Sequence, residues 1–334
     1  MTDNIAAFDP TGELDARVTP TPLSDPVITA IFQNADVSGL AMRSLLNATL
    51  DDSGDSLVSE VVSVTPQSVH TDTSMRGFRI DVEAKTAKGE IALVEVQLKL
   101  FRPTIERALL YSEQALASCA KRGDDLEQVT SSMPRVIVVN ILEKSIRDVG
   151  GFHQVVELAY REPPYQCATD RLAIHNLELD KYRKTEIDNL TNPLRCWLTA
   201  ICISQNLKKP LMEVVKMKPE LQDYYDEDPG FAQFVDRHGV VAAMPEVRRA
   251  YRRWEYDLML DRLDEERRAE QHEIQLLASE AKGEAKSQMK IALIVFAGLG
   301  QGMGLSEIIE TLKRFEIPDE IIEAARMQTV ADME

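Results

Sequence analysis

Asp81, Glu95 and Gln97 are the residues of this sequence whose types and spacing could do chemistry. Asp81 lies in a run where Phe78, Ile80 and Val82 alternate with Arg79, Asp81 and Glu83. Glu95 and Gln97 lie in Ile91 to Leu100, interleaved with Val94, Val96, Leu98 and Leu100. Side chains two apart on a strand share a face, so Glu95, Gln97 and Lys99 point one way and the apolar set goes into the core. The turn Lys85 to Gly89 makes the two runs a hairpin, which brings Asp81 near Glu95. Facing carboxylates raise one another's pKa, and a hard divalent cation resolves the conflict. Oxygen ligands suit magnesium or manganese. Such an ion lowers the pKa of a bound water and stabilises charge building on phosphorus, which is the chemistry of phosphodiester hydrolysis. Glu-x-Gln or Glu-x-Lys arises by chance about once in a couple of hundred residues. Taken alone, the spacing fits a surface hairpin with solvated acids better.

The elements that must position these residues can be read from periodicity. Met1 to Ser24 has no helical or strand pattern and reads as a flexible lead-in, with order beginning at Asp25. From Asp25 to Leu50, apolar residues recur at helical spacing and predict two short helices broken around Ala35 to Gly39. After the turn signal Asp51 to Asp55, Val58 to Val64 reads as an extended segment ending near Pro66. Thr104 to Lys121 is a helix closed at Gly123. Pro134 to Leu142 is a β-branched run of the kind found in buried central strands. A strand at Asp170 to Leu179 and a helix at Asn192 to Gln205 follow.

Beyond Leu207 the texture changes. Pro245 to Lys290 is charged and nearly free of glycine and proline, a solvated helix with ion pairs one turn apart. Its short stripe of Tyr256, Met259, Leu260 and Leu263 does not persist as heptads. A last unit follows from Ile291 to Gln328: a helix, the break GLGQGMG, and helices at Ser306 to Phe315 and Pro318 to Met327, with Ser306 as an N-cap. The glycines lack the order of a phosphate loop. The division is a lead-in at 1–24, a catalytic-type domain at 25–206, a charged helical region at 207–290 and a small helical unit at 291–334.

Composition sets limits. The formal net charge of −17 argues against a protein that coats nucleic acid by bulk electrostatics. Between Arg76 and Arg122, however, nine basic side chains face six acidic ones. The four cysteines, scattered without a CxxC pair, read as free thiols, and the five histidines have no zinc-ligand spacing. No apolar stretch approaches the roughly 20 residues of a membrane span, and no signal peptide opens the chain, so a cytoplasmic location is the default.

The ordered pieces Ser24-Asp25 through Ile31-Phe32, LLNATL at 45–50, GFRIDV at 77–82, VEVQ at 94–97 and RALLY at 107–111 resemble the recombination-promoting nuclease (Rpn) and putative transposase family of the PD-(D/E)xK superfamily. The likeness covers roughly Asp25 to Leu142, and the helical tail is also in that family's style. It implies an α/β fold, a restriction-endonuclease-like mixed sheet flanked by helices, followed by a helical C-terminal region. It also implies a DNA endonuclease that uses magnesium or another divalent cation such as manganese or calcium.

On that likeness Asp81 and Glu95 take the metal-ligand positions, and Gln97 stands where the superfamily has lysine. Glutamine can hydrogen-bond a water or a phosphate but carries no charge. Lys99 could supply it. Asp25 is either a further acidic ligand or an N-cap before Pro26. Arg107 and Tyr111, one helical turn apart, either contact phosphate or are a packed tyrosine with an arginine capping the sheet. The leading reading is therefore a metal-dependent endonuclease of recombination or mobile elements, with DNA as partner, no membrane, and a homo-oligomer formed through the C-terminal helices. The competing reading is a catalytically weakened nuclease fold serving as a DNA-binding or protein-interaction module.

Overall fold

Val136–Leu142 is buried along its whole length, as a β-branched run bounded by turn signals should be. The computed structural model describes residues 14–33, 35–70, 78–98, 104–120, 123–148, 150–185, 190–297 and 304–331. Six strands form one sheet: β1 (Val61–His70), β2 (Phe78–Thr86), β3 (Ile91–Gln97), β4 (Val136–Leu142), β5 (His153–Glu157) and β6 (Leu172–Glu178). Their spatial order is β1-β2-β3-β4-β6-β5. The centre is parallel, β3 beside β4 beside β6, and the flanking pairs are antiparallel. Helices flank this mixed sheet, and a helical region follows it.

The helices are α1 (Asp25–Phe32), α2 (Ala35–Ser53), α3 (Thr104–Ala117), α4 (Leu126–Ser132), α5 (Leu179–Tyr182) and α6 (Pro193–Leu207). After them come α7 (Leu211–Lys216), α8 (Pro219–Glu227), α9 (Pro229–Ala243), α10 (Pro245–Ala297), α11 (Leu305–Arg314) and α12 (Asp319–Ala331). Each face of the sheet buries its own core. Ala92, Val94, Ile137, Val139 and Leu177 pack with α1, α2 and α6 to α9, where Trp197, Phe231 and Phe234 are wholly or almost wholly buried. On the opposite face Ile91, Leu93, Val136, Val138, Leu172 and Ile174 pack under Ala108, Tyr111 and Ala115 of α3. The smaller, α3-covered face carries the acids.

Several elements differ from the sequence reading. The second helix begins at Ala35 and runs to Ser53, so Asp51 to Ser53 form its last turn and Gly54, at φ 75°, makes the stop. β1 continues through Pro66, which an edge strand tolerates because an outward-facing position needs no ladder donor. β5 and α4 have no periodicity long enough to read. Ser306 lies inside α11, whose N-cap is Gly304. The break Gly298 to Met303 lies outside the described residues.

The segment before Asp25 is anchored from Leu14 onward. Arg248 collects the carbonyls of Leu14, Asp15 and Val18, and His238 donates from Nε2 to the Pro20 carbonyl at 3.0 Å. Chain contacts divide into two compact units, Met1–Met259 and Leu260–Glu334. The second has its own core of Ala292, Phe296, Ile308, Leu312, Ile317, Ile322 and Ala325. Among the described residues no helix is long and apolar enough to cross a membrane.

Two constraints here are measurable. A Cβ on Gly230 would overlap the Leu40 carbonyl and the Ser44 Cβ, so α9 meets α2 at backbone distance. Gly230→Ala should therefore cost about 1–3 kcal/mol in a urea melt. His175 and His238 are both held neutral, their pKa lowered to about 4, first by burial. At His238 the Nδ1 already accepts from the Leu211 amide, leaving no place for a second proton. The unfolded chain binds these protons near pH 6.5 and the folded one does not, so stability is complete above that pH and falls as pH drops toward 4. A denaturant midpoint at pH 5 well below that at pH 7 is the expected result, with each histidine contributing up to about 2 kcal/mol between those two conditions.

Candidate active site

The acids meet where two strands part. β2 and β3 pair from Lys85 opposite Ile91 to Val82 opposite Val94, and the same register continued by one step sets Asp81 opposite Glu95. There the ladder ends. The Val96 amide, instead of pairing with β2 backbone, donates to Asp81 Oδ2 at 2.8 Å. That bond fixes the Asp81 carboxylate, which is half-buried, against the strand that bears Glu95.

Glu95 is only 8% exposed. Arg107 Nη2 donates to its Oε2 at 3.0 Å and to the Tyr111 hydroxyl at 2.9 Å, and the guanidinium lies over the Tyr111 ring. Both reach down from α3, one turn apart on one face. Glu95 Oε1, by contrast, is buried and has no hydrogen-bond partner. Burial first, and the Asp81 charge second, push the Glu95 carboxyl up to about 8 against the pull of Arg107. Burial is also the leading cause of the upward shift at Tyr111, with the Glu95 charge behind it.

A second buried carboxylate on the same sheet face shows what a satisfied one looks like. Glu178 is 1% exposed and receives the Ile146 amide at 2.8 Å, Gln154 Nε2 at 3.1 Å and Lys181 Nζ at 2.6 Å. Both of its oxygens are occupied. Glu95, also buried, is left one donor short, and an unmade bond of that kind is costly.

Gln97 accepts from Thr104 Oγ1 at 3.0 Å through its Oε1, which turns its NH2 away from Thr104. Thr104, the first residue of α3, was not singled out from the sequence and orients this amide. Asn140 was also missed. It stands beside Glu95 in the β3–β4 register, 2% exposed, and bonds Asn176 at 2.8 Å. An asparagine within PRVIVVNIL, a run otherwise apolar after its opening Pro-Arg, was the available signal, since buried polar groups need partners.

Asp81, Glu95, Gln97, Arg107 and Tyr111 are thus brought together, and Tyr111 is both packed and bonded to the Arg107 guanidinium. Asp25 is the first residue of α1 and exposed; Ser24 occupies the N-cap position, and the Asp25 charge acts on Glu95 only weakly. Lys99 lies outside the described residues. Glu83, on the Asp81 face, is 9% exposed and pairs with Lys85 at 3.7 Å.

Among the described residues no three His, Cys, Asp or Glu side chains form a metal cage. The pair Asp81 and Glu95, with one orphaned oxygen, suits instead an ion that keeps several waters and takes one or two carboxylates. The residues present fit a magnesium-type cation.

Among known proteins, the model of the PD-(D/E)XK nuclease family transposases matches residues 22–292. No curated protein and no solved structure matches.

The geometry makes a prediction that needs no substrate. Glu95→Gln removes a carboxyl that must either take up a proton or stand charged beside Asp81, so in the presence of a chelator it should raise stability by on the order of 1–2 kcal/mol. Arg107→Ala should lower it by a similar or larger amount, because it strands Glu95. Chemical melts of the two variants check both signs.

Proposed function

The chain belongs to the PD-(D/E)XK nuclease family transposases, and from that membership we propose that it is a divalent-metal-dependent DNA endonuclease serving recombination or mobile-element movement. One observation carries the reading: Glu95 Oε1, buried beside Asp81 without a partner. Asp81 and Glu95 are the proposed ligands of the ion, which is magnesium or a close substitute such as manganese or calcium. When bound, the ion supplies charge that activates water and offsets the negative charge gathering on the phosphate.

The remaining roles belong to the chain's own side chains. The Val96 amide holds the Asp81 carboxylate still, so that its second oxygen keeps one direction. Thr104 holds the carbonyl end of Gln97, and the amide NH2 is aimed to donate to a water or a phosphate oxygen. Gln97 positions but cannot neutralise; Lys99 is the proposed source of that charge. Arg107 balances Glu95 through Oε2 and leaves Oε1 for the ion. Tyr111 keeps the guanidinium in place through its hydroxyl and ring. Asp25, at the mouth of α1, is a proposed outer acid rather than a direct ligand.

A second reading has one observation in its favour. The Arg107 to Glu95 ion pair, at 3.0 Å, competes with a cation for the same carboxylate. If it wins, the fold is a DNA-binding or protein-interaction module with a weakened site.

Plasmid nicking with magnesium separates the two. Wild type should cut, while Asp81→Ala and Glu95→Ala should each lose at least about 100-fold, the scale of removing one charge-stabilising group from a site. Equal cutting by all three would remove these residues from the site. No cutting by any, together with a magnesium-independent melting temperature in wild type, would favour the second reading.

A further inference from the structure

The two edges of the sheet are not alike. β1 carries Pro66, a residue that blunts an edge. β5 and its continuation, HQVVELAYR at 153–161, carry neither proline nor lysine and leave large apolar side chains exposed, Leu158 at 50% and Tyr160 at 60%. Past Glu157 the chain continues as a narrow ribbon, bridged at Ala159 and Cys167.

Backbone directions along this edge follow from the bonds it already makes. Glu178 N donates to the Phe152 carbonyl at 2.7 Å, which marks 152 opposite 178 as a hydrogen-bonded pair. Pairs alternate, so Gln154 and Val156 face β6 while His153, Val155 and Glu157 direct their backbone groups outward. In the ribbon, Tyr160 N bonds the Gln166 carbonyl and Ala168 N bonds the Leu158 carbonyl. Leu158 and Tyr160 therefore face inward and Ala159 outward, before the chain bends at Arg161. Glu157 and Ala159 present a short row of outward amides and carbonyls, with the charge of Arg161 at its end.

That row is complementary to itself. Laid antiparallel on a second copy about a two-fold axis through Ala159, Glu157 meets Arg161 of the other chain twice, and Leu158 meets Tyr160 twice. The opposite charges fall on one face of the joined ribbon and the aliphatic–aromatic pairs on the other, each a favourable cross-strand combination. Ala159, an outward residue, lies at the centre of this register, where facing residues are joined by hydrogen bonds. We propose that two copies of this chain associate through residues 157–161, edge to edge.

The full-length protein tests this by sedimentation across a concentration series. Wild type should self-associate. Arg161→Glu should weaken the association at least tenfold, and the double reversal Glu157→Arg with Arg161→Glu should restore it. Ala159→Pro removes an outward amide without touching the intramolecular bonds and should also weaken it. Ala159→Cys in a Cys167→Ser background should form a disulfide between copies, because hydrogen-bonded antiparallel pairs place Cα atoms about 5.5 Å apart. Leu126→Cys in the same background, 74% exposed and outside the paired segment, should not. A monomer at every concentration overturns the proposal. So does association insensitive to Arg161→Glu and Ala159→Pro, or equal cross-linking at 126 and 159.

Discussion

Glu95 and Asp81 repel each other in a place where water can do little to screen them, and much of the surrounding structure is organised by that repulsion. β3 leaves β2 one residue pair after Val82 and Val94, and the freed Val96 amide becomes the restraint on Asp81. α3 crosses above and sends Arg107 to one oxygen of Glu95, with Tyr111 bracing the guanidinium. Glu95 Oε1 is left unmatched. The contrast with Glu178, more deeply enclosed and fully bonded, shows that the fold can satisfy a buried carboxylate when nothing else is required of it.

The rest of the molecule keeps this arrangement stiff. The α3-covered core of Ile91, Leu93, Val138 and Ile174 sits next to the acids and excludes solvent from one side. The larger core on the far face fixes the sheet's plane through α1, α2 and α6 to α9. Close approach at Gly230 and the grip of Arg248 on the lead-in belong to that far side, so they hold the platform rather than the chemistry. The chain's net charge of −17 does not contradict a nucleic-acid substrate. Arg107, which the sequence placed in a locally basic stretch, is the cation found at the acids.

The sequence was most informative where a single physical rule dominates. Strict alternation gave the β2–β3 hairpin and the correct face for Glu95, and the β-branched run gave β4. The membership itself came from ordered pieces such as IDV and EVQ, none of which would suffice alone. What stayed hidden depends on pairings between distant segments. Nothing local in PRVIVVNIL says that Asn140 will stand beside Glu95, because that follows from the parallel register of β3 and β4. Thr104 looked like a helix start and is that, but its hydroxyl also sets the Gln97 amide. β5 is five residues long, too short to show a period, and its lone partner β6 lies further along the chain. The helix cap assigned to Ser306 failed for a related reason, since a glycine in extended backbone served equally well two residues earlier.

The joining of strands has a consequence for how the molecule is made. Asp81, Glu95, Gln97, Arg107 and Tyr111 all lie within one β-hairpin and the helix that follows it, a stretch a ribosome delivers as a unit. Such local contacts close quickly, whereas the parallel pairing of β3 with β4 and β4 with β6 must wait for longer loops to close. Asp81 and Glu95 can meet as soon as the hairpin closes, but α3 packs on β4, so Arg107 reaches Glu95 only once β4 has docked. Until then water damps the repulsion, and cover by α3 raises its cost. Late folding steps, rather than early ones, should be those that a bound cation accelerates or that neutralising Glu95 relieves.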